Sequence, residues 1–191
     1  MAKRIILAFV PIVVVASAIA LAQNQQRIRE FLTGYEEVPA VSTSANAEFH
    51  ARIVGGNSIQ YELRYADLEG SITQSHIHFG QKSVNGSIEV WLCGNPGPGV
   101  TPPAGTQACP PSPATITGTI TAPDVIGQPV AANGSAGQGI QAMEFDELLR
   151  AIRAGKTYVN IHSTKFPGGE VRSQIENDSG HDGDHHGTED K

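Results

Sequence analysis

Apolar residues alternate with polar ones over much of this chain, and a period of two predicts β-strands with one buried face. The clearest examples are segments 47–53 and 59–65, where apolar or aromatic residues occupy every second position. Gly55, Gly56 and Asn57 lie between the two segments, and these residue types favour tight turns. The pattern therefore predicts a β-hairpin with one face in water.

Five further segments predict short strands, because each is bounded by glycine, proline or asparagine and combines β-branched with polar residues. They are residues 73–79, 87–92, 115–121, 157–163 and 170–175. At least seven short strands in one chain predict a mainly β domain, built as a sandwich or a barrel.

One segment, residues 144–154, departs from the period of two. Four of its apolar residues follow the i, i+3, i+4, i+7 spacing that places them on one face of an α-helix: Phe145, Leu148, Leu149 and Ile152. Gly155 follows in the position of a C-terminal cap. One short amphipathic helix is therefore predicted, covering an open end or edge of the sheets.

The first 22 residues have the layout of a secretory signal peptide. Lys3 and Arg4 precede the apolar run 5–22, which ends in the small-x-small sequence Ala20-Leu21-Ala22. We therefore expect residues 1–22 to be cleaved and the protein to be secreted, periplasmic or on the cell surface, without membrane association. The alternative is an uncleaved N-terminal anchor, because the run reaches the lower limit for spanning a bilayer.

Composition excludes one class of partner and defines a tail. With 19 acidic against 13 basic residues, the net charge is -6, which argues against nonspecific nucleic-acid binding through phosphate neutralisation. Residues 177–191 contain no aliphatic or aromatic side chain, so they are predicted to be a disordered tail. Tail residues His181, His185 and His186, with the acidic residues beside them, could bind divalent metals loosely.

Two cysteines lie near the ends of a proline-rich stretch. Residues 94–113 contain seven of the twelve prolines, which predicts a long loop. An even number of cysteines in an exported chain favours a disulfide, here between Cys93 and Cys109. The alternative is a pair of thiolate metal ligands, although the separation of the two residues matches no common metal motif.

Four sequence blocks in order carry a resemblance to a known family. They are residues 32–39 (LTGYEEVP), 76–80 (HIHFG) followed by Asn85-Gly86, 154–163 (AGKTYVNIHS) and 166–175 (FPGGEVRSQI). Over about residues 28–176 the chain resembles a CHRD domain, the domain type of the extracellular growth-factor antagonist chordin and of single secreted microbial proteins. Ser163 and Ser173 depart from the threonine and glycine common there. The resemblance implies an immunoglobulin-like β-sandwich or barrel and little about activity.

A histidine pair is the sharpest candidate for chemistry. His76 and His78 share one face of a predicted strand, about 6.6 to 6.8 Å apart along the backbone, and His162 also lies opposite an aliphatic face. Together they could bind copper or zinc. The alternative is a polar patch in which these histidines hydrogen-bond to neighbours such as Asn160 or Gln174. The His-x-His-x-Gly strand is also locally similar to the copper-ligand strand of copper/zinc superoxide dismutases, another β-sandwich family.

Other polar residues are predicted to be structural. Glu170 and Arg172 lie on the polar face of the last strand and are expected to join an ion-pair and hydrogen-bond network, within neighbouring strands or with Glu36 and Glu37. His50 lies on the wet face of the first hairpin and is predicted to be a solvated surface residue.

Two functional hypotheses follow. The first is an extracytoplasmic binding or adhesion module that captures an unknown protein or surface ligand through Trp91 and loop 94–113, because loops on rigid scaffolds commonly carry recognition. The second is a copper or zinc protein using His76, His78 and His162, with storage, redox or hydrolytic chemistry. The chain lacks phosphate-loop, dinucleotide and nucleophile-elbow motifs, so we assign no catalytic or organic-cofactor residues and favour a non-enzymatic role.

Overall fold

The computed structural model describes residues 26–128 and 137–176. The predicted signal peptide (1–22) and the predicted tail (177–191) lie outside these ranges and remain predictions. No helix in the described ranges has the length and apolar character needed to cross a bilayer.

Within the described residues, eight strands form two antiparallel sheets of four strands each, in the orders β1-β2-β3-β6 and β5-β4-β7-β8. The strands are β1 (Arg27–Leu32), β2 (Asn46–Val54), β3 (Ser58–Ala66), β4 (Ile72–Phe79), β5 (Ser87–Gly94), β6 (Ala114–Ile120), β7 (Thr157–Ser163) and β8 (Val171–Ile175). One helix, α1, spans Phe145–Arg153, and two short 3-10 turns span Gly34–Glu36 and Ala122–Asp124.

The apolar faces of the two sheets form one shared core. Phe49 and Leu63 of the first sheet and Ile77 and Val159 of the second are at most 1% exposed and belong to the same hydrophobic cluster. The sheets meet at one corner, where Thr33 and Arg172 exchange two backbone hydrogen bonds of 3.0 and 3.1 Å. The predicted β-sandwich is thus confirmed, and the barrel alternative is wrong because the two sheets stay separate.

The predicted hairpin pairs β2 with β3, as Phe49↔Leu63 and Ala51↔Tyr61 show. Strand β1 was missed by the sequence pattern because Glu30 stands where an apolar residue is expected. Its carboxylate accepts a hydrogen bond from the Glu176 backbone at 2.8 Å, and burial raises the pKa of Glu30 to about 7. The half-buried Glu30 interrupts the apolar alternation of β1, so the sequence pattern does not reveal this edge strand.

Helix α1 is confirmed, with bounds one residue inside the predicted range at each end. Its apolar face is buried in the shared core. Gly155 takes the left-handed conformation with a φ of 63°, and its N–H donates to the Ile152 carbonyl at 3.0 Å. The chain then turns directly into β7, which carries one of the candidate histidines.

The disulfide Cys93–Cys109 is present, with a Cα–Cα distance of 5.0 Å, so the two cysteines are not metal ligands. The loop that it closes is tied to both sheets. The Asn95 amide donates to the Ile72 and Cys109 carbonyls at 3.1 and 2.9 Å, and the Gln107 amide donates to the Tyr61 hydroxyl at 2.8 Å. The proline-rich loop is therefore held against the domain by the disulfide and by these hydrogen bonds.

Candidate metal centre

Three histidines lie on the outer face of the second sheet, away from the shared core. His76 and His78 come from β4, and His162 comes from the adjacent β7, where it pairs with Gln74. The residues between them in sequence point the other way: Ile77 and Ile161 are at most 1% exposed and belong to the core. The period of two that predicted the strands thus also places the three imidazoles on one face.

The three imidazoles converge. One ligand nitrogen from each of His76, His78 and His162 lies within 4.8 Å of the others. The ring centroid of His76 is 5.3 Å from that of His78 and 5.1 Å from that of His162. We call this set the histidine triad. Nitrogens that share one ion at about 2.0 to 2.1 Å lie about 3.3 to 3.6 Å apart, so small ring movements complete the site.

Backbone carbonyls fix the tautomers of two triad members. Nδ1 of His78 lies 3.0 Å from the Gly86 carbonyl oxygen, and Nδ1 of His162 lies 3.0 Å from that of Pro167. A carbonyl oxygen only accepts, so both Nδ1 atoms carry the proton and both Nε2 atoms present a lone pair. This arrangement, in which the other ring nitrogen is held by a carbonyl, is typical of metal-ligating histidines.

The lone pairs of the triad have no protein partner in the described part of the chain. Nε2 of His78, Nε2 of His162 and both ring nitrogens of His76 are buried without a hydrogen bond. The polar-patch alternative predicted hydrogen bonds to side chains such as Glu170, Asn160 and Gln174. Asn160 lies close enough to raise the pKa of His76 and His78, but its Oδ1 is without a hydrogen bond. Glu170 and Gln174 bond to other groups. Buried polar atoms are rarely left unpaired, so this cluster calls for a ligand.

Glycine at position 86 is required by a close backbone approach. A Cβ there would lie 1.8 Å from the Phe79 carbonyl oxygen, at the end of the strand that carries His76 and His78. Gly86 thereby brings its own carbonyl to His78. The Asn85-Gly86 block of the sequence resemblance is therefore part of the support for the triad.

Burial keeps the imidazoles neutral. The loss of hydration lowers the pKa of His76 to about 2 and that of His78 to about 4, and it also lowers the pKa of His162. His76 is fully buried, and the other two are 6% and 7% exposed. Neutral imidazole is the form that binds metals, so the triad is in its ligand form at physiological pH.

Aromatic side chains enclose the triad. Trp91 contacts His76 edge to face with a centroid distance of 4.2 Å. Tyr158 stacks on His78 with a centroid distance of 4.5 Å and an interplanar angle of 4°. The Arg172 guanidinium lies 3.3 Å from the Tyr158 ring centroid. These contacts cover the rings and keep bulk water away.

The network predicted around Arg172 is present in part. Arg172 donates to the Val84 carbonyl at 3.0 Å, and its charge lies close enough to Glu37 to lower the pKa of that carboxyl, although burial dominates and raises it to about 7. Glu170 instead accepts hydrogen bonds from the Thr43 hydroxyl and the Glu69 N–H.

His50 is half-exposed and lies 3.2 Å from Glu48, as expected of a surface residue.

Sequence reasoning named Glu37 as one possible partner of the last strand but did not predict its burial. Its side chain packs against Gly169, where a Cβ would lie 2.5 Å from one carboxylate oxygen, and the residue is only 6% exposed. Its place in the first of the four sequence blocks was the available signal. It is not a triad ligand, because the described ligand group consists of the three histidines alone.

Three neutral nitrogen donors can hold a borderline metal ion such as copper or zinc. A hydrolytic metal site would further need an open position for water and a base near it. Within the described residues the triad nitrogens are closed off from solvent. The arrangement therefore suits holding an ion better than processing a substrate.

Comparison with known proteins identifies the family of the chain. The CHRD domain model matches residues 29–175, a range that includes the whole triad and the disulfide. No curated protein and no solved structure matches the chain. Because one family model covers most of its length, the chain belongs to the CHRD domain family.

Proposed function

We propose that this protein is an extracytoplasmic metal-binding CHRD domain, in which His76, His78 and His162 hold one copper or zinc ion. One observation carries the proposal: three buried imidazoles converge with unpaired nitrogens, and backbone carbonyls hold two of them in the tautomer that presents Nε2. A structural role for these residues would leave four buried nitrogens without partners at a cost of about 1 to 3 kcal/mol each.

Two features support a location outside the cytoplasm. The domain contains a disulfide, and disulfides persist mainly in oxidising compartments. The proposed signal peptide, residues 1–22, would direct export there. Metal uptake in such a compartment would not compete with the thiol pool of the cytosol.

Tryptophan fluorescence tests the proposal, because Trp91 is the single tryptophan of the chain and contacts His76. Copper(II) bound in the triad should quench more than half of the emission, with an endpoint at one equivalent. Zinc should shift the emission without strong quenching, since its filled d shell accepts no energy or electron.

The control for this titration is the double variant His76→Ala/His78→Ala. It should lose the saturable quenching and retain only the weak, linear quenching caused by copper in solution. Saturable quenching of equal size in the variant would place the copper elsewhere and contradict the proposal.

A second candidate function, the binding or adhesion module, is favoured by a cavity of about 360 Å³ beside the proline-rich loop. This is the size of a small-ligand site. Its lining combines aromatic rings with polar groups from the loop and from β6, including Tyr61, Trp91, Pro103, Gln107, Thr119 and Asp124. A surface ligand would contact Trp91 and the proline-rich loop in this cavity.

Filling this cavity tests the second candidate. Thr119→Trp, at the exposed rim of the cavity, should reduce capture of surface ligands from the extracytoplasmic fraction at least about tenfold, as expected when a ligand site is occupied. Thr117→Trp, at another exposed position on the same face of β6 that does not line the cavity, is the matched control. Equal capture by both variants would contradict the binding hypothesis.

A further inference from the structure

The histidine triad has no negative charge to balance a bound ion. Its three ligands are neutral, and within the described residues no carboxylate contributes to the pKa of His76, His78 or His162. The charged side chain that acts on His78 is Arg172, which is positive. An ion in the triad would therefore keep its charge in a buried environment with no carboxylate ligand, and the charged side chain acting on the triad is cationic.

Arg172 reaches the triad through one aromatic ring. Strand β7 lies between β4 and β8, so Tyr158 stands between Arg172 on one side and His78 on the other. The guanidinium carbon is 3.3 Å from the Tyr158 ring centroid, and that centroid is 4.5 Å from the centroid of His78. Glu37 and Glu36 both interact with Arg172 and offset part of its charge, and Glu37 also acts on Tyr158.

Burial and the lack of a carboxylate ligand make the triad discriminate between ions of different charge. The cost of burying an ion rises with the square of its charge, and a buried charge without a counter-charge is expensive. Zinc in addition takes four ligands in almost all structural sites, whereas the described triad offers three. Monovalent copper carries half the charge and is stable with two or three nitrogen ligands.

Resting on the proposed function, we propose that the triad holds copper as Cu(I), in preference to Cu(II) and zinc. The enclosure of the site by Trp91 and Tyr158 fits this assignment, since burial of the triad restricts the access of further ligands that the larger coordination shell of Cu(II) would need. The protein would then store or hand over reduced copper outside the cytoplasm.

The test is metal selection by the full chain. Anaerobic competition with bathocuproine disulfonate measures Cu(I) affinity, a chromophoric zinc chelator measures zinc affinity, and redox titration of the copper form measures its potential. We expect Cu(I) to be favoured over Cu(II) at least about 100-fold relative to the aqueous ions, which raises the potential by about 120 mV. Zinc should bind more weakly than Cu(I).

Two outcomes overturn the inference, and they differ from failure of the proposed function. A potential at or below that of aqueous copper, or zinc binding tighter than Cu(I), contradicts the preference for Cu(I) while leaving a metal site in place. Retention of no metal by the unmodified chain removes the proposed function and the inference with it.

Two variants outside the triad test the electrostatic cause, with potentials measured at pH 8. Arg172→Gln should lower the potential of the copper form, and Glu37→Gln should raise it. Arg172 is buried, so Arg172→Lys, which keeps the charge, serves as its folded control and should leave the potential near that of the unmodified chain. Shifts in the same direction for Arg172→Gln and Glu37→Gln, or no shift in either, would overturn the role of Arg172.

Discussion

Replacing His76 with leucine should abolish metal retention and leave the fold at least as stable as before. The loss of one of three ligands should lower copper or zinc affinity more than about 100-fold, since the loss of a mere supporting contact costs about 10- to 100-fold. Both ring nitrogens of His76 are buried without a hydrogen bond. Replacing them with an apolar side chain should therefore stabilise the metal-free protein by about 1 to 2 kcal/mol.

Equilibrium dialysis with metal analysis measures the first effect, and urea unfolding of the metal-free protein measures the second. His50→Leu is the matched control, because His50 is a half-exposed histidine beside Glu48 and should change neither quantity. A metal-free His76→Leu protein that is less stable by 2 kcal/mol or more would show, by the cost expected of lost structural contacts, that His76 is a structural residue.

Replacing Phe49 with alanine should destabilise the domain by about 3 to 5 kcal/mol, the range for removing a buried aromatic side chain. Phe49 is fully buried and its ring stacks on Tyr61 with a centroid distance of 6.1 Å. The cavity would open between the two sheets, where neighbouring strands are held by their hydrogen bonds and cannot close it. Urea unfolding should show a lower midpoint with an unchanged slope.

Phe31→Ala is the control for this substitution, because Phe31 lies on the adjacent β1 but is 54% exposed. It should cost less than about 1 kcal/mol, as surface substitutions do. If the two variants lost similar stability, the assignment of Phe49 to the shared core would be wrong. Comparing the two variants separates the stability lost from the buried core from the stability lost by removing any phenylalanine ring.

The fold was predictable where one face of a strand is apolar and the other is wet. The hairpin β2–β3 and helix α1 follow from their periodicity alone. Strand β1 was not predictable, because Glu30 faces partly inward and takes its hydrogen bonds from the end of β8. Such a contact joins residues more than 140 positions apart, and no local pattern reports it.

The residues of the candidate site were predictable from the sequence, but the tautomers of its imidazoles were not. The alternation along β4 and β7 placed His76, His78 and His162 on one face. It could not show that backbone carbonyls of Gly86 and Pro167 would take the Nδ1 protons, since those contacts depend on the path of two loops. The same is true of the approach of Arg172 to Tyr158.

The most direct test of the metal site is native mass spectrometry of the full chain after incubation with copper or zinc and desalting. A variant with alanine at His181, His185 and His186 removes tail histidines that could also bind metal. We predict one retained ion per chain in this variant, and none when His76→Ala and His78→Ala are added. No retained ion in the tail variant, or one that persists without His76 and His78, would contradict the metal site.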